Sequence, residues 1–102
     1  MKKEYLYRYT TNNEGVWSAG KRLLPKDLVE EVLEAKKGLP KPKLPEGDYR
    51  FYLTESGKRK YESTLLLSHK KYLTKIKKEK IQRHKIINII YEDEWQVVEK
   101  VN

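Results

Sequence analysis

The sequence predicts an α+β fold in one small domain, and three observations predict it. Apolar and polar residues alternate over residues 5–10 and again over 48–54, the period of two that a half-buried strand requires. Around 24–37 and 61–76 the apolar residues instead recur three and four apart, the period of a helix with one buried face. The chain has 102 residues, which fits a single core spanning 1–102 and excludes a large multidomain enzyme. The whole reads β-α-β-α-β-β, with two helices packed on one face of a small mixed or antiparallel sheet that ends in a C-terminal β-hairpin.

Each element has its own signal. In Tyr5-Leu6-Tyr7-Arg8-Tyr9-Thr10 the three tyrosines share one face of a strand. Thr11–Gly15 reads as a turn, because Asn and Gly tolerate positive φ, and Val16–Gly20 reads as either a short extended piece or a buried loop. A helix is expected from Pro25 to Lys37. Pro25 suits its first turn, Asp27 and Glu30 its positive end, Lys36 and Lys37 its negative end, and Gly38 its stop. Residues 38–47 hold three prolines and two glycines and form an extended connector within the domain.

Asp48–Thr54 reads as the second strand, with Thr54 or Ser56 capping the next helix. That helix carries Tyr61, Leu65, Leu66, His69, Tyr72, Leu73 and Ile76 on one side, and the charged run Lys77-Lys78-Glu79-Lys80 then erases the period and leaves its end open. Ile86–Tyr91 and Trp95–Val98 are rich in β-branched and aromatic residues, and Glu92-Asp93-Glu94 between them reads as a tight hairpin turn.

Composition narrows the function classes. The chain is 37% hydrophobic, and eight tyrosines and two tryptophans supply the bulk of a thin core that a disordered chain would lack. No cysteine means no disulfide, no thiolate zinc site and no cysteine nucleophile. No stretch approaches the roughly 18–20 apolar residues that span a bilayer, and Met1–Tyr5 is not followed by the apolar segment of a signal peptide. The expectation is a cytoplasmic protein without a membrane partner. No metal-ligand spacing, phosphate-binding glycine loop or nucleophile elbow is present, so no metal, no cofactor and no catalytic residue is expected on the leading reading.

The formal net charge is +8, and it is unevenly placed. Residues 57–85 carry 11 Lys+Arg against 2 Asp+Glu, whereas 1–56 are near neutral and 86–102 are acidic. The candidate binding residues are therefore Lys60, Lys70, Lys71, Lys75, Lys77, Lys78, Lys80, Arg83 and Lys85. On a helix, Lys60, Lys71, Lys75 and Lys78 project away from the apolar stripe as a positive ridge, which attracts phosphate backbones or acidic protein surfaces. Lysines outnumber arginines 18 to 5, and lysine acts as a point charge where arginine reads base edges and phosphates bidentately. The expected role is a small non-enzymatic binding protein docking an anionic partner: nucleic acid, or an acidic or nucleic-acid-binding protein that it inhibits. Strand aromatics beside these cations could serve as a stacking platform, but core packing is the better reading of them. His69, on the apolar side of its helix, reads as a packed, hydrogen-bonded core histidine.

One enzymatic alternative rests on chain order. Arg8 lies on the first strand, Thr54 at a strand end entering a helix, and Glu92-Asp93-Glu94 near a late strand. The order Arg, Ser/Thr, Glu-x-Glu is similar to the Arg–Ser–Glu class of ADP-ribosyltransferases. That resemblance implies NAD binding through Arg8 and Thr54, with Glu94 carrying the transfer. It spans three isolated positions, and the chain is not assigned to the family on it.

Overall fold

The computed structural model describes residues 4–101. Its centre is β1 (Tyr5–Thr11), which has partners along both sides. Along one side β4 (Lys77–Gln82) runs antiparallel, from Tyr5 opposite Gln82 to Thr10 opposite Lys77. Along the other, β2 (Glu14–Gly15) pairs with the end of β1, and β3 (Tyr49–Leu53) meets it at Tyr7 opposite Leu53. The sheet continues through β6 (Gln96–Lys100) to β5 (Ile89–Glu92), every pairing antiparallel. The turn from β1 to β2 is two residues, Asn12 and Asn13, both at positive φ, the backbone that matches a hairpin's twist.

The two sheet faces differ. Tyr7, Tyr9 and Leu53 point to the side covered by helices, where Val16, Ala19, Val32, Tyr61, Leu65, Leu66 and Leu73 complete the main core. The helices are α1 (Val16–Leu23), α2 (Val29–Ala35), α3 (Glu55–Tyr61) and α4 (Leu65–His69), with 3-10 turns at Lys26–Leu28 and Arg83–Lys85. On the opposite face Leu6, Tyr52 and Val97 are covered by Ile86, from the segment that leads from β4 to β5. That crossing is fastened at both ends: the Arg83 amide donates to the Glu4 carbonyl, and the Lys100 amide to the Asn88 carbonyl.

The α+β class, the helices on one face and the terminal hairpin agree with the expectation. Five details are corrected. Val16–Gly20 is neither strand nor loop but the start of α1, whose buried Val16, Ala19 and Gly20 recur at helical spacing. The helix expected over 25–37 opens as a 3-10 turn and is α-helical only over Val29–Ala35. The long second helix is two short ones, broken at 62–64, where the polar run Glu62-Ser63-Thr64 adds no apolar side chain to the core. The charged run that erased its period is the strand β4, which holds Lys78, and Lys71 and Lys75 fall between α4 and β4, so of the expected helical ridge only Lys60 lies on a helix. Residues 86–88 likewise lie outside β5.

Candidate functional site

A strand of sequence Lys-Lys-Glu-Lys-Ile-Gln has little apolar surface to bury, and its place is secured by β1 instead. Six consecutive residue pairs join the two strands. The register puts Lys78 and Lys80 on the same face as Tyr9 and Tyr7, and Lys77 and Glu79 on the other. Lysine stems can cover aromatic surface while the ammonium stays in water. Here the Lys80 Nζ lies 4.4 Å from the Tyr5 ring centroid and the Lys78 Nζ 5.3 Å from that of Tyr7, within cation–π range. Lys58 of α3 reaches the same Tyr7 ring at 4.8 Å.

Carboxylates of α3 and the residue after it close this arrangement. The Tyr7 hydroxyl donates to Glu55 Oε2 at 2.6 Å, and the Tyr9 hydroxyl to Glu62 Oε2 at 2.6 Å. Lys78 pairs with the same Glu62 oxygen at 2.9 Å. The Glu55 hydrogen bond and burial push the Tyr7 phenol up to about 12, and burial with the Glu62 bond pushes Tyr9 higher still. In return the Tyr9 and Tyr7 hydroxyls hold Glu62 and Glu55 below the usual carboxylate range. Tyr7 and Tyr9 are buried with their hydroxyls committed, so they are core, not a stacking platform.

The nine candidate cations divide into two groups. Lys71 pairs with Glu31, Lys78 with Glu62, and Arg83 forks onto both oxygens of Glu92 with Glu4 beyond at 3.8 Å. Lys60 lies over the Trp95 ring at 4.3 Å, and Lys80 over Tyr5. Lys70, Lys75, Lys77 and Lys85 are exposed and make no ion pair among the described residues. Lys75 and Lys77 stand where the chain enters β4, and Lys85 just past its end. No strand pairs with the outer side of β4 among the described residues, so these cations line an open sheet edge.

The enzymatic alternative is only partly gathered. Thr54 caps α3, accepting from the Gly57 amide at 3.0 Å, and its hydroxyl donates to the Glu94 carbonyl at 2.7 Å. Thr54 and Glu94 therefore line one recess of about 580 Å³. Arg8 is not among its lining residues; it lies on the opposite sheet face from Tyr7, across from Glu79 of β4. The recess walls hold Glu4, Glu55, Glu92, Asp93 and Glu94, which repel the phosphates of a dinucleotide. His69 is a core residue as expected, its Nδ1 2.8 Å from the Leu65 carbonyl and its ring edge-on to Trp17, with burial holding its pKa below the ordinary histidine value.

A second recess, between α2, α3 and α4, has no counterpart in the sequence pattern, because Glu31 and Tyr61 belong to separate periodic segments whose approach no local spacing encodes. No protein-family model, curated protein or solved structure matches the chain.

Proposed function

We propose that this protein is a non-enzymatic binding module that docks an anionic macromolecule, foremost a nucleic-acid backbone, along the open edge of β4. The observation that carries this reading is the row of cations Lys75, Lys77 and Lys85, with Lys70 nearby in sequence, all exposed and without carboxylate partners among the described residues. A cation already paired with a carboxylate must give up that partner to gain a phosphate, whereas an unpaired one releases only the phosphate's counterion. Six strand residues at about 3.3 Å each span about 20 Å, a length of duplex carrying on the order of ten phosphate charges. The lysine preference favours contact without sequence reading.

The test is binding to a nonspecific duplex over a range of salt. Affinity should fall steeply as salt rises, and replacing Lys70, Lys75, Lys77 and Lys85 together by Ala should flatten that slope by about 0.9 for each phosphate left without its lysine. Thermal stability should change little, since exposed charges away from ion pairs contribute only tenths of a kcal/mol. Replacing Lys71 and Lys78 instead should lower stability more and the salt slope less, because both serve carboxylates. No duplex or single-strand binding at low salt would overturn the nucleic-acid reading. An acidic protein surface, such as that of a nucleic-acid-binding protein blocked by this one, would then be the partner to seek by pull-down.

A further inference from the structure

We propose that the open edge of β5 pairs with an extended segment of a partner protein, one with alternating apolar side chains and a lysine or arginine at its amino end. β5 closes the sheet opposite β4, and its outer side pairs with no strand among the described residues. An edge strand offers its free amides and carbonyls to a further strand unless its sequence prevents pairing. β4 carries lysines along its length, whereas Ile89-Ile90-Tyr91-Glu92 has no lysine, arginine or proline. Of the six large apolar side chains left exposed among the described residues, three belong to this edge: Ile87 at 89%, Ile90 at 40% and Val101 at 41%. Ile87 and Val101 are the chain neighbours of Asn88 and Lys100, which a backbone hydrogen bond joins. The break in register between Ile89 and Tyr91 leaves Ile90 as an extra, exposed residue.

The chemistry of the edge defines its occupant. Main-chain pairing selects an extended segment, and the exposed isoleucines select apolar side chains at its alternate positions. Charge selects its end. In a chain of net charge +8, residues 86–102 carry Glu92, Asp93, Glu94 and Glu99 against Lys100 alone. Arg83 takes Glu92, and Asp93 accepts from the Tyr91 hydroxyl and from the amides of Trp95 and Gln96. Glu94 is exposed between β5 and β6 and makes no ion pair among the described residues, so it is the carboxylate left for a cation. A segment running antiparallel to β5 brings its amino end, with the lysine or arginine there, to the end of β5 that leads into Glu94. A second copy fits less well, because pairing two β5 strands brings together two chains of net charge +8. A phosphate backbone is repelled by these carboxylates, so this inference is independent of docking at β4.

The test is an amide chemical-shift titration by NMR with a synthetic peptide of alternating valine and threonine that begins with two lysines. The peptide should give saturable shifts at residues 87–92 at millimolar concentration. The same peptide with glutamates for its lysines should bind there at least threefold more weakly at low salt. N-methylation of its central amides keeps the side chains, removes the donors, and should abolish the shifts. Ile87→Lys with Ile90→Lys places charge on the edge at two exposed positions, so the melting temperature should hold while peptide affinity falls at least tenfold. The proposal is overturned by no shift at residues 87–92, by shifts confined to β4, by equal binding of the glutamate or N-methylated peptide, or by undiminished binding to the folded double variant. Self-association of the parent through residues 87–92 would also overturn it, giving the edge to a second copy.

Discussion

Three tyrosines show how single residues set this protein's response to pH. Tyr7, Tyr9 and Tyr52 donate to Glu55, Glu62 and Glu99, each bond joining residues about fifty positions apart in the chain. The Tyr7 phenol is pushed up to about 12 first by its Glu55 bond, and that of Tyr52 to about 12 first by burial. A proton held more tightly in the folded state stabilises fully below the unfolded pKa, about 10 for tyrosine, and that stabilisation is lost as pH rises through the folded value. Glu55 and Glu62 run the other way. Their folded pKa values are lowered, so their contribution is present above the unfolded carboxylate value and is lost as pH falls through the folded one. Stability should therefore be flat across neutral pH and decline between about pH 10 and 12. Tyr9→Phe keeps the ring and removes the proton. Urea melts should find it about 1 kcal/mol less stable at neutral pH, with a shallower alkaline decline than the parent. An unchanged alkaline slope would mean that Tyr9 ionises as readily folded as unfolded.

Among the elements, the decisive joint is where β3 ends, α3 begins and the β5–β6 hairpin docks. The Thr54 amide donates to the Trp95 carbonyl at 3.0 Å while its hydroxyl both caps α3 and reaches Glu94. A Cβ on Gly57 would stand 2.0 Å from the Trp95 carbonyl oxygen, so glycine is what lets the helix meet the hairpin backbone. Gly57→Ala should cost roughly 1–3 kcal/mol by overpacking, and Thr54→Ala about 1 kcal/mol by losing the cap, while Thr54→Ser keeps both bonds and should be nearly silent. At about 4–8 °C per kcal/mol these differences are readable in thermal melts. The cap itself was legible in the sequence; the joint was not, since Gly57 has no spacing that announces a partner near residue 95. The same division holds elsewhere. Strand β1 was legible because one of its faces meets the helices and the tyrosines mark it. Strand β4 was not, because Lys77 through Lys80 present charge on both faces and period two becomes invisible. The break at 62–64 was hidden for the opposite reason: α3 and α4 bury residues in one core, so the apolar spacing runs on across the gap. For the candidate site, the block of charge was legible, but which cations are occupied by Glu31, Glu62 and Glu92 depends on tertiary pairing.

Over the whole molecule, the net charge of +8 and the open edge of β4 pose one question about the same side chains. An exposed edge strand is a template for pairing with another chain, and lysines on it are a common protection against that. Charge for docking and charge for edge protection can be separated by changing Lys77 and Glu79 together. Both lie on the helix-free face of β4, and replacing both by Thr leaves the net charge at +8 while making the edge polar, β-prone and uncharged on that face. Attraction to phosphate depends on the overall field and on Lys70, Lys75 and Lys85, so the salt slope should fall by no more than the single lysine's share, about 0.9. Edge pairing depends on local charge, and sedimentation at rising concentration should show association in the double variant but not in the parent. A variant that stays monomeric would remove edge protection as the reason for Lys77 and Glu79. The lysines along β4 would then be left with docking as the role that accounts for an edge strand carrying so little apolar surface.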